Sequence, residues 1–364
     1  VTAQRADTGE SVTISCQFIL SCSGYYDYAA GYTPEFAGRG DFKGQVIHAQ
    51  HWPQDLDYKG KRVVVIGSGA TAVTLVPEMS RDTASMTMLQ RSPTYIANIP
   101  GRDKMAQMLR KWLPISVVFR LTRWKQVLFQ LFVYRLSRRK PKQLRNFLLN
   151  KGREELGPDY DVATHFTPRY NPWDQRLCAV PDGDMFAAIR EGRANVVTDS
   201  IDCFNASGIR LQSGAQLDAD IIILATGLNL KFAGGVQYSI DQKPIDFTRH
   251  FVYRGMMFSD IPNLAFVVGY TNSSWTLKAD LTNSYVCRLL NRMARSGCKS
   301  VTPRIKQPID EQPLLDFDAG YVLRSRAQFP KQGDRFPWKV YQNYIQDFFS
   351  LGFGSLKDPE LEFS

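Results

Sequence analysis

The sequence has little cysteine: six in 364 residues, irregularly spaced and with no C-x-x-C pair. That excludes a disulfide framework and a cysteine zinc site, and it points to a reducing, cytoplasmic compartment. No run of about 18 uncharged apolar residues occurs, so no membrane-spanning helix is predicted. The opening VTAQRADTGESVTIS has neither an apolar h-region nor a cleavage site, which excludes a secretory signal peptide. It also lacks an initiator Met and begins on strand-like sequence, so the chain reads as a fragment that starts inside a domain. Internal repeats and low-complexity tracts are absent. Hydrophobic residues make up 44% and charged residues 22%, which is ordinary globular usage and excludes a disordered or collagen-like chain. At roughly 150 residues per domain, the length predicts two domains.

What is present is positive charge. The formal net charge is +10, which suits nucleic acid, an anionic membrane surface or an anionic cofactor. Much of it lies in residues 101–155, where 15 Lys and Arg face only Asp103, Glu154 and Glu155. Within that segment Val117, Leu121, Trp124, Leu128 and Phe132 fall at helical spacing and predict a long amphipathic helix. Two readings follow. The favoured one is a helical insertion that covers a substrate pocket and keeps its charges in water. The other is a helix lying peripherally on an anionic membrane, with Trp112, Trp124, Phe129 and Phe132 as its apolar side. No nucleic-acid-binding module is recognisable, so no nucleic-acid partner is expected.

The clearest local pattern is βαβ. Lys61 to Ile66 reads as a buried parallel strand, residues to about Arg81 as a helix, and Met86 to Gln90 as the next strand. Between strand and helix stands Gly67-Ser68-Gly69-Ala70-Thr71-Ala72, the dinucleotide turn in its G-x-G-x-x-A form. Gly67 permits the tight turn, Gly69 lets a pyrophosphate approach the backbone, and small Ala72 lets the helix pack on the strand. The helix N-terminus offers unpaired N–H groups to the anion. The end of the second strand selects the nucleotide. An NAD site places a carboxylate there; this chain has Arg91 followed by Ser92, which suits a 2′-phosphate and therefore NADPH. Elsewhere residues 1–24 read as β structure, 25–60 and 156–181 as loop, and Asp184 to Glu191 and Trp275 to Ala294 as helix. Asn195 to Thr198, Ile209 to Gln212, Ile221 to Ala225 and Ala265 to Val268 read as strands.

Upstream of the turn lies Phe42-x-Gly44-x-x-x-His48-x-x-x-Trp52-Pro53. This spacing, just before a dinucleotide strand, resembles the fingerprint of the Baeyer–Villiger monooxygenases, flavoproteins that use NADPH and O2. The resemblance continues through the Gly67–Ala72 turn, Arg91-Ser92, the segment from Tyr170 to Cys178, Ala225-Thr226-Gly227, and Gly269 to Lys278. It covers about residues 12 to 347 and is strongest toward the ethionamide-activating subgroup. It implies FAD and NADPH as cofactors and oxygen insertion into a small apolar ketone, or onto the sulfur or nitrogen of a sulfide or thioamide. By the same resemblance Arg176 is the catalytic arginine that faces flavin and nicotinamide and stabilises negative charge during oxygen transfer. Phe42, Gly44, His48 and Trp52 form the domain-linker fingerprint, with His48 aiding domain closure. Arg91 and Ser92 hold the 2′-phosphate, and Ala225, Thr226 and Gly227 form the strand-end motif joining the domains. Many members carry Lys immediately before the catalytic Arg; Gln175 stands there in this sequence.

The expected fold is α/β with two Rossmann-like domains. Residues 1–57 are the remainder of an FAD domain and linker. Residues 58–224 are an NADP domain with a helical insertion at about 101–160, and 225–364 complete the FAD domain. The family opens on its own glycine turn for FAD, and that first βαβ unit, about a hundred residues, is expected upstream of Val1. The alternative function is accordingly a truncated, inactive remnant that binds NADP but cannot hold FAD. No metal site is expected.

Overall fold

The computed structural model describes residues 1–175, 177–315 and 320–364. The described residues form two compact units: one of 27–229 with 320–321, the other of Val1–Tyr26, 230–315 and Val322–Ser364.

The first unit is a doubly covered parallel sheet of the Rossmann type. Its strands are ordered Asn195–Thr198, Ser85–Gln90, Arg62–Ile66, Ile221–Leu224, Gln45–His48, and every pairing is parallel. Each central strand is apolar on both faces, as parallel sheets require. Val63, Val65, Met86, Met88, Ile221 and Ile223 point to one side, where the helices Ala70–Met79 and Asp184–Arg190 cover them. Val64, Ile66, Leu89, Ile222 and Leu224 point to the other. There a three-stranded antiparallel sheet, Ile201–Asn205, Gly208–Leu211 and Gln216–Asp218, supplies Phe204, Ile209 and Leu211. The side-chain period of two thus builds a three-layer core. At the open end of the central strand Arg62 pairs with Asp220: its guanidinium and its backbone N–H both donate to that carboxylate. These bonds hold the Asp220 carboxyl down at about 2, chiefly through the Arg62 side chain.

Two segments read as loop carry strands. Gln45–His48 is an edge strand of the parallel sheet, and Tyr26–Gly31 is also extended. Gln45 and His48 lack the apolar character of the central strands because an edge strand is covered less completely. The 156–181 loop likewise contains the short helix Val162–His165 and the strand Cys178–Pro181, the latter paired with Ile96–Ile99.

The insertion is helical, as Lys104–Leu109, Ile115–Arg139 and Pro141–Leu156. Its facing differs from the expectation. The side that Ile115–Arg139 buries carries Val118, Val127 and Leu131. The stripe Val117, Leu121, Trp124, Leu128 and Phe132 is 38–63% exposed. The spacing is helical, and the stripe it marks faces solvent.

In the second unit the β structure read over residues 1–24 divides. Ser11–Thr13 pairs with Thr2–Gln4 in an exposed hairpin, and Ile19–Ser21 runs parallel to Leu264–Phe266. An aromatic core of Phe247, Phe258 and Phe266, with Phe232 against it, fills this unit. Helix Trp275–Ser296 packs against Tyr344–Asp347 and Phe348–Phe353 and ends at Gly297, whose φ of 70° suits glycine. All six cysteines are free thiols. Among the described residues no His/Cys/Asp/Glu cluster suits a metal, and no helix is long and apolar enough to cross a membrane.

Candidate functional site

The glycine turn sits at the carboxyl ends of the parallel strands, where open α/β sheets bind ligands. Strand Arg62–Ile66 ends at Gly67, whose N–H donates to Leu89 O at 2.8 Å. Gly67 has φ of +133°, and a Cβ there would lie 2.3 Å from Ala225 O. No other residue type fits that turn. The clash partner belongs to the Ala225-Thr226-Gly227 motif, so two segments far apart in sequence meet in one floor. Ala225 N–H donates to Ile66 O, and Gly227 O accepts from Tyr32 N–H. The Thr226 hydroxyl donates to Tyr32 O at 2.5 Å.

Gly69 is the N-cap of Ala70–Met79 and gives that helix no side-chain cap. With no acid in its first turn, the helix leaves its leading N–H groups and positive dipole end open to an anion. Gly69, Ala70 and Thr71 are exposed, and a Cβ at Gly69 would meet nothing within 4 Å. Ala72 is fully buried against the sheet, as a small residue at the third position should be. The turn is therefore closed on its protein side and open on its ligand side.

Ser68 ties the turn to the next strand end. Its hydroxyl donates to Ser92 O at 3.1 Å and lies 3.0 Å from Thr94 Oγ1. Arg91 and Ser92 are exposed beside it, and Arg91 makes no ion pair with any described residue. Gln90 was not singled out from the sequence. It is buried where Ser85–Gln90 ends, and its amide donates to His165 O at 2.7 Å and Thr198 Oγ1 at 2.9 Å. His165 Nδ1 lies 2.9 Å from the same Thr198 hydroxyl, and burial lowers the His165 pKa. This network fixes the strand end from which Arg91 projects. A Gln closing a strand whose preceding residues are Met88 and Leu89 was the available signal.

The fingerprint residues divide. Phe42 is buried against Phe204, with ring centroids 6.5 Å apart. Gly44 is needed because a Cβ would sit 2.2 Å from Asp220 O. His48 closes the edge strand: its Nδ1 accepts from Gln50 N–H at 3.1 Å, while Nε2 is buried without a partner among the described residues. Its ring lies against Gly31, where a Cβ would come within 1.9 Å of it. Trp52 is on the surface. Arg176 lies outside the described residues. The segment before it is anchored: Asp174 accepts from Arg138 at 2.8 Å, Trp173 packs edge-on against Tyr134, and Tyr95 donates to Tyr170 O.

The family described as flavin-binding monooxygenase-like matches residues 1–261. The chain is 52% identical over 358 residues to the FAD-containing monooxygenase EthA of Mycobacterium tuberculosis, covering 98% of this chain and 73% of that protein. It is 48% identical over 349 residues to the probable FAD-binding monooxygenase AlmA of Acinetobacter baylyi, covering 95% and 70%. Among solved structures, an oxidised steroid monooxygenase bound to NADP superposes with a TM-score of 0.69 at 19% identity, over 100% of this chain and 77% of that one.

Proposed function

The chain belongs to the flavin-binding monooxygenase-like family, and from that premise we propose that it forms part of an NADPH- and O2-dependent flavoprotein monooxygenase. Its substrates are small apolar ketones, sulfides or thioamides. The observation that carries the nucleotide half of this reading is the turn at Gly67, sealed by Ala225 on one side and open at Gly69 on the other. That shape receives a pyrophosphate at the helix N-terminus. Gly67 to Ala72 hold the NADPH pyrophosphate, and Arg91 with Ser92 receives its 2′-phosphate. The relatives named above are FAD-containing or FAD-binding proteins. Bound flavin supplies the redox and oxygen chemistry in such enzymes. The chain carries one dinucleotide turn, which NADPH takes, so none of its residues is assigned to the flavin pyrophosphate and no step is derived through the flavin. The Ala225–Gly227 strand end and the Phe42, Gly44, His48 and Trp52 fingerprint serve as the link between domains, and Arg176 is the catalytic cation.

Nucleotide titration tests this reading. A charge-assisted hydrogen bond contributes about 1.5–3 kcal/mol, so Arg91 should favour NADPH over NADH by roughly ten- to a hundredfold. Arg91→Glu should remove that preference and leave NADH binding intact. Equal affinity of the unsubstituted chain for both nucleotides would overturn the assignment. The absorbance of the purified chain separates a flavoprotein from a remnant that binds NADP alone.

A further inference from the structure

The chain that closes strand Ser85–Gln90 and the chain that leaves helix Val162–His165 are joined at two points, five residues apart on each. Gln90 Nε2 donates to His165 O at 2.7 Å, and the Tyr95 hydroxyl donates to Tyr170 O at 2.7 Å. Five residues span at most about 18 Å, so residues 90–95 and 165–170 form one short rim. Gln90, Pro93 and Tyr95 of the first stretch are buried, as are Phe166 and Pro168 of the second. The two prolines stiffen the backbone there. Ser68 of the glycine turn reaches the same rim through Ser92 O and the Thr94 hydroxyl. The rim's two arginines, Arg91 and Arg169, are exposed, and neither makes an ion pair with a described residue. Neighbouring carboxylates are committed elsewhere. Asp161 accepts from Thr164 N–H and Asp174 from Arg138. Asp199, whose own N–H donates to Gln90 O, accepts from Ser200 and Ser213 N–H.

We propose that Arg169 is a second cation for the 2′-phosphate of NADPH, acting with Arg91. This rests on the reading of the Gly67 turn and Arg91 as the NADPH site. A phosphate monoester carries about −1.5 to −2 charges at neutral pH, so Arg91 alone leaves it under-neutralised. A guanidinium offers parallel N–H donors that match two phosphate oxygens, and the three terminal oxygens accommodate two such partners. Two like charges held on one rim without an acid repel each other, and an arriving dianion relieves that repulsion. NADH has a hydroxyl in place of the 2′-phosphate, so Arg169 gives it no charge partner. The residue therefore discriminates between the two nucleotides rather than binding both.

The test is calorimetric titration of the 364-residue chain and its variants with NADPH, NADH and adenosine 2′,5′-bisphosphate, at low and high salt. Arg169→Ala and Arg169→Gln should each weaken NADPH and the bisphosphate at least tenfold and change NADH less than twofold. Arg169→Lys keeps the charge and should recover part of the loss. The fall of NADPH affinity with salt should be shallower in Arg169→Ala, because one screened attraction is gone. Melting temperature and far-ultraviolet circular dichroism should match those of the unsubstituted chain, since the side chain is exposed. Equal losses for NADPH and NADH would mark a structural effect on the turn and overturn the proposal. Unchanged NADPH affinity in Arg169→Ala, with the NADPH preference still abolished by Arg91→Glu, overturns it as well and leaves the Arg91 assignment standing. Equal affinity of the unsubstituted chain for NADPH and NADH overturns both assignments.

Discussion

Gly67 and Gly69 stand two residues apart in one turn, yet the structure gives them separable jobs, and alanine at each should show it. At Gly67 an alanine Cβ would lie 2.3 Å from the Ala225 carbonyl oxygen and 2.9 Å from its carbon. That carbonyl cannot retreat cheaply, because Ala225 N–H is bonded to Ile66 O and the strand before it is fully buried. The φ of +133° adds backbone strain that costs about 1–3 kcal/mol by itself. Clash and strain together should destabilise the unit by about 3 kcal/mol or more. At roughly 2–4 °C per kcal/mol for a unit of this size, the melting temperature should fall by about 6–12 °C, with or without nucleotide. At Gly69 φ is −82° and ψ −174°, an extended conformation open to alanine, and the new methyl meets no protein atom. Gly69→Ala should therefore melt within about 1 °C of the unsubstituted chain, or slightly above it, since alanine lowers unfolded-state entropy. Its cost appears when a pyrophosphate must approach the backbone. NADPH affinity should fall tenfold or more, about 1.4 kcal/mol, and the thermal shift that NADPH confers should shrink with it. Differential scanning fluorimetry with and without NADPH, with calorimetric titration, measures both effects. If Gly69→Ala binds NADPH as tightly as the unsubstituted chain, the open side of the turn is not the pyrophosphate site. If Gly67→Ala melts unchanged, the Ala225 contact does not define the turn.

The parallel-sheet core and the nucleotide turn were legible in the sequence because their physics is local. Val63 to Ile66 and Ile221 to Ala225 are unbroken apolar runs, and G-x-G-x-x-A restricts the backbone wherever it occurs. What the sequence hid depends on partners distant along the chain. Gln45–His48 reads as loop because an edge strand has one neighbour and need not be apolar throughout. The long helix announces its period, yet a stripe of Val117, Leu121 and Phe132 looks the same whether a core or the surface receives it. The joining of Gly67 to Ala225 could be named only as two motifs; the carbonyl that makes glycine obligatory is visible only once both strands lie in register. Gln90 escaped for a related reason: its two acceptors, His165 O and Thr198 Oγ1, come from elements well separated from it in sequence.

Three further perturbations probe the remaining contacts. In the flavin-loaded protein Arg176→Ala should keep NADPH affinity and lose oxygen transfer to a ketone by about 10²–10³-fold; full product yield would remove Arg176 from the reaction. Asp220, held at about 2 against an ordinary 3.8, stabilises the fold above that ordinary value and loses its contribution as pH falls from about 4 to about 2. The pair is partly exposed, so Asp220→Asn should cost only about 0.5–1 kcal/mol at neutral pH, and it should flatten the acid limb of a stability–pH profile; an unchanged limb would contradict the pairing. The most demanding case is Lys278, whose ammonium is 2.7 Å from Asp347 Oδ2, with both side chains more than 90% buried. Tyr270 donates to the same oxygen at 2.7 Å. Burial lowers the Lys278 pKa despite that partner, so desolvation outweighs the attraction. Lys278→Met should then be worse than losing the pair altogether, because it leaves a buried carboxylate with one hydroxyl for company. The expected cost is about 3–5 kcal/mol. Adding Asp347→Asn should recover a large part of it, since the neutral amide keeps an oxygen for Tyr270 and sheds the stranded charge. Urea unfolding of both single variants and the double variant measures the coupling. Strictly additive costs would show that Lys278 and Asp347 do not depend on one another, and that the buried pair is not what holds helix Trp275–Ser296 to the segment carrying Asp347.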